Sequence, residues 1–189
     1  MIRIRSLITT AALIAGLFCA GCATQPVGTT GFLGSYEGMA VHPQEPTGLR
    51  FIAPHDAMLE CDQLLFDAFE IHALPNSTLA SADPALAKRM AAAFREKLIS
   101  VVEPYYDVVS KAGPNVMRTR CALSEMKFKG DGRTPDDVVS VRFEAEMLDS
   151  VTGKRMAAVV RSFDAGDQSA FDALAIALLD FMNEHHGIE

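Results

Sequence analysis

The chain has 189 residues, 49% hydrophobic and 22% charged, with 24 acidic against 17 basic side chains and a formal charge of −7. That length holds about one ordinary domain. The acidic balance excludes a nucleic-acid binder, which needs clustered Lys and Arg against phosphate, and gives no attraction to anionic lipid.

The first 21 residues read as a secretory signal. Arg3 and Arg5 open it, Leu7 to Ala20 is apolar, and small Ala20 and Gly21 precede Cys22, a layout too short to remain as a bilayer-spanning anchor. Loss of Arg3 and Arg5 with the leader leaves 15 basic against 24 acidic residues, a net −9. The run Cys19-Ala20-Gly21-Cys22 resembles the lipobox of bacterial lipoproteins, with Cys19 standing where leucine is usual. The resemblance implies diacylglyceryl on the Cys22 sulfur and further palmitate-type acylation. It also implies retention at the outer membrane facing the periplasm, because Ala23 and not Asp follows the cysteine. Each buried methylene contributes about 0.8 kcal/mol, so several acyl chains make a lasting tether without a basic patch. An ordinary cleaved signal on a soluble protein is the alternative.

Residues 22–48 carry Pro26, Gly28, Gly31, Pro43, Pro46 and Gly48 and no apolar period, which predicts a lipid-anchored linker. Within it, Gly31-Phe32-Leu33-Gly34-Ser35-Tyr36 is too apolar for a free tether and is expected to dock on the domain. The domain is predicted over residues 49–189. Leu64 to Ile71 reads as its first strand. Asp83-Pro84 caps a helix whose apolar face is Leu86, Met90, Phe94, Leu98 and Val101, ending at Glu103-Pro104. Tyr105 to Val109 and Val116 to Met126 follow as strands, the latter with Met117, Thr119, Cys121 and Leu123 on one side. The next strand alternates most clearly, with Val139, Val141, Phe143, Ala145 and Met147 inward and Ser140, Arg142, Glu144, Glu146 and Leu148 outward. Asp149 to Gly153 makes a hairpin turn into Met156 to Phe163. A last helix opens near Asp167 or Ser169, with Phe171, Leu174, Leu178 and Met182 on one stripe. The predicted class is α+β: a single, mostly antiparallel sheet of about five strands with two amphipathic helices on one face, in the order βαββββα.

Several of these segments together resemble a family of uncharacterised Gram-negative lipoproteins, domain of unknown function thirty-three thirteen. They are Gly31-Phe32-Leu33, the strand holding Asp67, Val116 to Arg120, and above all Glu144 to Gly153. Ala68 departs from the pattern, since a proline is expected after the strand aspartate. The resemblance implies location and fold, and no site residues.

Candidate chemistry is sparse. The five histidines include no metalloprotease pair. His185-His186 suits a helix C-terminus, and His55 with Asp56, Glu60 and Asp62 lacks a recognised ligand spacing, so no metal and no cofactor is expected. Gly166-Asp167-Gln168-Ser169 reads as a helix cap and not a nucleophile elbow. Gly130-Asp131-Gly132-Arg133 is too short and acidic to cradle phosphate. Asp67 and Glu70, oddly spaced on one strand, should place one carboxylate toward the core, bonded to backbone or to Arg118 or Arg120. Cys61 and Cys121 remain after export to an oxidising compartment as a candidate disulfide, or as two buried thiols. Arg118, Arg120, Arg142, Glu144 and Glu146 should project from the uncovered sheet face, either as a solvated surface or as an interaction face for a partner. The reading is a non-enzymatic, outer-membrane-anchored module that binds an envelope protein partner or self-associates. A small hydrolase or ligand-binding protein with a loop-built site near residues 55–67 is the competing class.

Overall fold

The computed structural model describes residues 28–54, 58, 61–130, 134–166 and 169–186, with side chains through 184. The predicted signal, Cys22, the residues His55, Asp56 and Glu60 weighed as ligands, and Asp131 to Arg133 lie outside those residues.

The elements are β1 (Ala40–His42), β2 (Glu45–Ile52), β3 (Gln63–Phe66), β4 (Glu70–Ile71), α1 (Pro84–Val102), β5 (Asp107–Val108), β6 (Val116–Phe128), β7 (Val138–Asp149), β8 (Arg155–Asp164) and α2 (Ala170–His186). The class is α+β, with both helices packed on one face of a mixed eight-stranded sheet in the order β1-β2-β8-β7-β6-β3-β5, and β4 beside β6.

Two expectations are corrected, and one open alternative is resolved. The sheet is mostly antiparallel but has eight strands and not about five, its elements run ββββαββββα and not βαββββα, and it is mixed: β3 and β4 run parallel to β6, and β5 parallel to β3. Alternation reports which residues share a face, not strand direction. The parallel β3–β6 pair needs a crossover connection, and α1 lies in it. The fold also starts before Leu49. β1 pairs antiparallel with β2, and β2 with β8, so residues predicted as linker form one edge of the sheet. Pro46 is tolerated because it sits exposed near the start of β2, close to a register shift in the β1–β2 pair. Of the two alternatives for Cys61 and Cys121, the structure holds the second: both are buried and are not bridged. Gln63 lies opposite Val116 in the β3–β6 ladder, so Cys121 is displaced along β6 by about 16 Å, beyond the usual ~4.4–6.8 Å between bridged Cα atoms. Burial, with the nearby Glu144 charge, pushes the Cys121 thiol far up, so it stays protonated and packs as a small apolar group.

Local chemistry explains the rest. Asp83 accepts from the Ala85 amide at 2.9 Å and Pro84 occupies the first turn of α1. Leu86, Met90, Phe94, Leu98 and Val102 are buried at every fourth position, so Val102 and not Val101 ends the stripe. Ser169 caps α2, accepting from the Asp172 amide and donating to the Asp172 carboxylate. A bulge between Leu123 and Glu125 lets β6 return Met126 to the core opposite Val141. The β7–β8 turn is closed by Asp149, whose carboxylate accepts from the Val151 and Thr152 amides, with Gly153 at φ 69°.

Candidate functional site

The sheet face away from the helices is not bare. Residues 28–37 lie across it as a strap: Phe32 and Leu33 are buried in a second apolar cluster with Ala122, Ala158 and Val160. Of the five residues expected on an open face, Arg142, Glu144 and Glu146 are only 6, 0 and 4% exposed. Arg118 and Arg120 keep more solvent. The open charged face is therefore corrected to a buried ionic layer between sheet and strap. Alternation placed these side chains together but could not show what covers them.

That layer is internally matched. Arg142 donates through Nε to the Gly28 carbonyl at 3.0 Å, through Nη1 to Glu45 at 3.1 Å and Ser162 Oγ at 2.9 Å, and through Nη2 to the Thr47 carbonyl at 2.8 Å. Gly28, at φ 78°, packs on this guanidinium so closely that a Cβ would meet Nη2 at 2.9 Å. Glu146 accepts from Arg120 at 2.5 Å and from Arg155 at 3.0 and 2.8 Å, and Arg155 in turn donates to the Leu33 and Ser35 carbonyls at 2.7 and 2.8 Å. The Arg120 guanidinium also stands 4.8 Å from the Phe32 ring, which meets His72 edge-on.

Asp67 and Glu70 both belong to this polar face, although their odd spacing predicts opposite faces. The strand is interrupted between β3 and β4, where Arg95 of α1 takes the Phe66 and Asp67 carbonyls at 3.0 Å. The interruption restores parity: Phe66 and Phe69 enter the core, while Asp67 pairs with Arg118 through Nε and Nη2. Glu70 meets His72 at 2.9 Å, with Arg120 4.0 Å away.

Glu144 is the most deeply placed charge, and the strap supplies its donors: the Thr30 amide and the Tyr36 hydroxyl. Burial, then the bond to Glu144, pushes the Tyr36 phenol up to about 12. The unfolded value is about 10, so this contribution is complete below pH ~10 and is lost as pH rises toward the folded value. Tyr36→Phe should cost about 2 kcal/mol at neutral pH, as expected for a hydrogen bond to a charged group. Above pH ~10 the wild type should lose stability more steeply than this variant, read by urea unfolding over a pH series. Parallel slopes would show that the phenol is not latched on Glu144.

A second feature lies on the helix face, where α2 leaves the β1–β2 edge uncovered. A cleft of about 340 Å³ opens there, walled by Phe143, Val159, Leu174, Leu178 and Phe181 among others. Arg50 and Arg161 stand in it, 5.8 Å from the Phe181 ring and 4.5 Å from the Phe163 ring. His42 at its mouth is held below its usual range by burial and then by the Arg161 and Arg50 charges, and its Nδ1 accepts from the Gln44 amide at 3.2 Å. The sequence reading missed this cleft because β1 and half of β2 were assigned to a linker. Asp62 is exposed, and among the described residues no three His, Cys, Asp or Glu side chains gather to hold a metal.

The family comparison identifies the chain directly, through a model described as "Protein of unknown function (DUF3313)" that matches residues 29–181. No curated protein matches it. Among solved structures, the PelC dodecamer from Paraburkholderia phytofirmans is similar at 11% identity and a TM-score of 0.39, over 73% of this chain and 96% of that one. Lipoprotein GNA1162 from Neisseria meningitidis is similar at 13% identity and a TM-score of 0.35, over 65% and 95%. Protein XCC0632 from Xanthomonas campestris is similar at 15% identity and a TM-score of 0.35, over 72% and 89%. The family match begins at Thr29, within the strap, and runs through α1 and all eight strands into α2 as far as Phe181; the chain belongs to the DUF3313 family of proteins of unknown function.

Proposed function

We propose that this is a lipoprotein held at the outer membrane by acyl chains on Cys22, facing the periplasm, and that its domain is a binding module working against the bilayer surface. The observation that carries this reading is the strap. A linker over residues 22–48 would let the domain roam by about 90 Å when extended. The clamped Gly28 instead leaves only the stretch from Cys22, at most about 20 Å. Acylation at that cysteine would hold the domain close to the membrane.

A binding role fits the geometry better than catalysis. Asp67 and Glu70, the acidic residues nearest the competing loop site, are engaged with Arg118 and His72 on the strap side of the sheet, away from the cleft. Self-association by edge pairing is the weaker variant, because the edge strands β1 and β5 have only three and two residues.

Fractionation of wild type beside Cys22→Ser tests the anchor. The wild type should sediment with outer membrane and the variant should appear in the periplasmic fraction. A membrane-bound variant or a soluble wild type would overturn the reading.

A further inference from the structure

We propose that the cleft between α2 and the β2–β8 part of the sheet binds an anionic single-chain amphiphile, its acyl tail along Phe143, Leu178 and Phe181 and its acidic head between Arg50 and Arg161. The walls alone select an apolar body, and the volume of about 340 Å³ lies within the ~300–1,000 Å³ range of small-molecule sites.

The head-group assignment rests on two incompletely satisfied arginines. Arg50 makes no hydrogen bond or ion pair with any described residue, and its interactions are the Phe181 ring and the repulsive charge field at His42. Arg161 gives Nη2 to Gln44 at 2.9 Å, while its Nε is buried with no acceptor. A buried donor without a partner is costly, and a carboxylate or phosphate in the cleft would satisfy it. A neutral lipid would leave it orphaned, and a small free anion would leave the apolar walls wet. Of the carboxylates near the cleft, Glu146 is paired with Arg120 and Arg155, Glu45, which also acts on Arg161, is paired with Arg142, and Asp180 and Glu184 stand on the exposed face of α2. Water screens those charges more than the half-buried arginines, so the interior field is positive.

The position of the mouth gives the amphiphile a source, and in this respect the inference rests on the membrane-apposed reading. The β1–β2 turn serves both faces of the sheet. Gln44 touches Arg161 at the cleft, while Glu45 bonds Arg142, the same guanidinium that holds Gly28 where the chain leads toward Cys22. Cleft and tether therefore share one end of the sheet, and lipid lies within the tether's reach.

The test uses full-length protein in its own membranes and a photoactivatable diazirine analogue of lauric acid as the probe. Cross-links should map to α2 and β8 peptides, and excess laurate should remove them while dodecylammonium should not. An Arg50→Gln, Arg161→Gln double variant should lower labelling by at least about tenfold, the change one charged hydrogen bond is worth. Ala177→Trp, which fills the cleft without altering charge, should abolish labelling whether or not the double variant folds. No label on α2, unchanged label in Ala177→Trp, or equal competition by dodecylammonium would overturn the proposal. Cys22→Ser protein given the same probe in solution separates this from the anchor: it should still be labelled at α2 even where fractionation disproves acylation.

Discussion

Arg142→Ala is expected to lower stability by about 3–5 kcal/mol, the cost of removing one partner from a buried ion pair. The guanidinium satisfies the carbonyls of Gly28 and Thr47, the carboxylate of Glu45 and the hydroxyl of Ser162 at once. Its loss leaves Glu45 half-buried without a countercharge, held by the Ser162 amide and by the Thr47 and Ser162 hydroxyls. Those bonds, outweighing its desolvation, keep the Glu45 carboxyl below the usual range. Arg142→Lys should recover little, since an ammonium cannot present a planar fork to four acceptors. Urea unfolding measures the stability, and chymotrypsin reads the strap, because Phe32 and Tyr36 are protected only while it is seated. A loss under ~1 kcal/mol with an uncut strap would mean that Phe32 and Leu33 hold the segment without the ionic clamp.

Arg142 also shows why the two faces of the sheet were unequally legible. The helix face could be read because each of its layers carries its own period: every fourth residue on α1, every second on β6 and β7. Phe94, Leu98, Met117, Phe143 and Met147 fall where those periods put them, and all are buried. On the other face the same alternation grouped Arg142, Glu144 and Glu146 correctly. Their covering layer, however, has no period, only Gly, Thr and Ser around Phe32, Leu33 and Tyr36. The apolar triplet was a usable sign of docking, but charge on the strands argued for solvent, and Glu144 lies under the strap all the same. Gly48 misled in a similar way. It reads as a breaker, yet its missing side chain lets β2 lie close to its neighbours, since a Cβ there would meet the Val160 carbonyl at 2.9 Å. The cleft depends on β1 and β2 being strands, so it was hidden with them.

The network around Glu146 argues for specificity more than for stability. Its two arginines and buried carboxylate could be replaced by packed apolar side chains at little cost in free energy. What apolar replacements would lose is register. Arg155 reads the Leu33 and Ser35 carbonyls and Arg120 stacks on Phe32, so one seating of the strap is chosen over its neighbours. A strap that slid by even two residues would draw Gly28 off Arg142. The ionic layer thereby fixes one seating of the strap, with Gly28 held on Arg142, which a purely greasy contact would hold loosely.

Phe94→Ala should produce the other large effect, about 3–5 kcal/mol, or on the order of 10 °C in melting temperature for a domain of this size. Phe94 is fully buried and stands between Phe69 and Phe171, with ring centroids 5.2 and 5.1 Å away. It joins three elements at one point: α1, the break between β3 and β4, and α2. Truncation opens a cavity that Phe69 cannot fill, because the backbone beside it is pinned by Arg95 on the Phe66 and Asp67 carbonyls. Total stability of a single domain is about 5–15 kcal/mol, so the variant should approach the limit of folding. Phe94→Leu, which keeps most of the volume, should cost no more than about 1.5 kcal/mol. Thermal melts of both variants check this. The effect should also reach the cleft, because Phe171 holds the first turn of α2 while Leu178 and Phe181 of the same helix form the apolar wall. Laurate-probe labelling at α2 should therefore fall in Phe94→Ala below its melting temperature, while chymotrypsin should still find the strap seated on the opposite face. Loss of strap protection in step with loss of labelling would show instead that the two faces open as one cooperative unit.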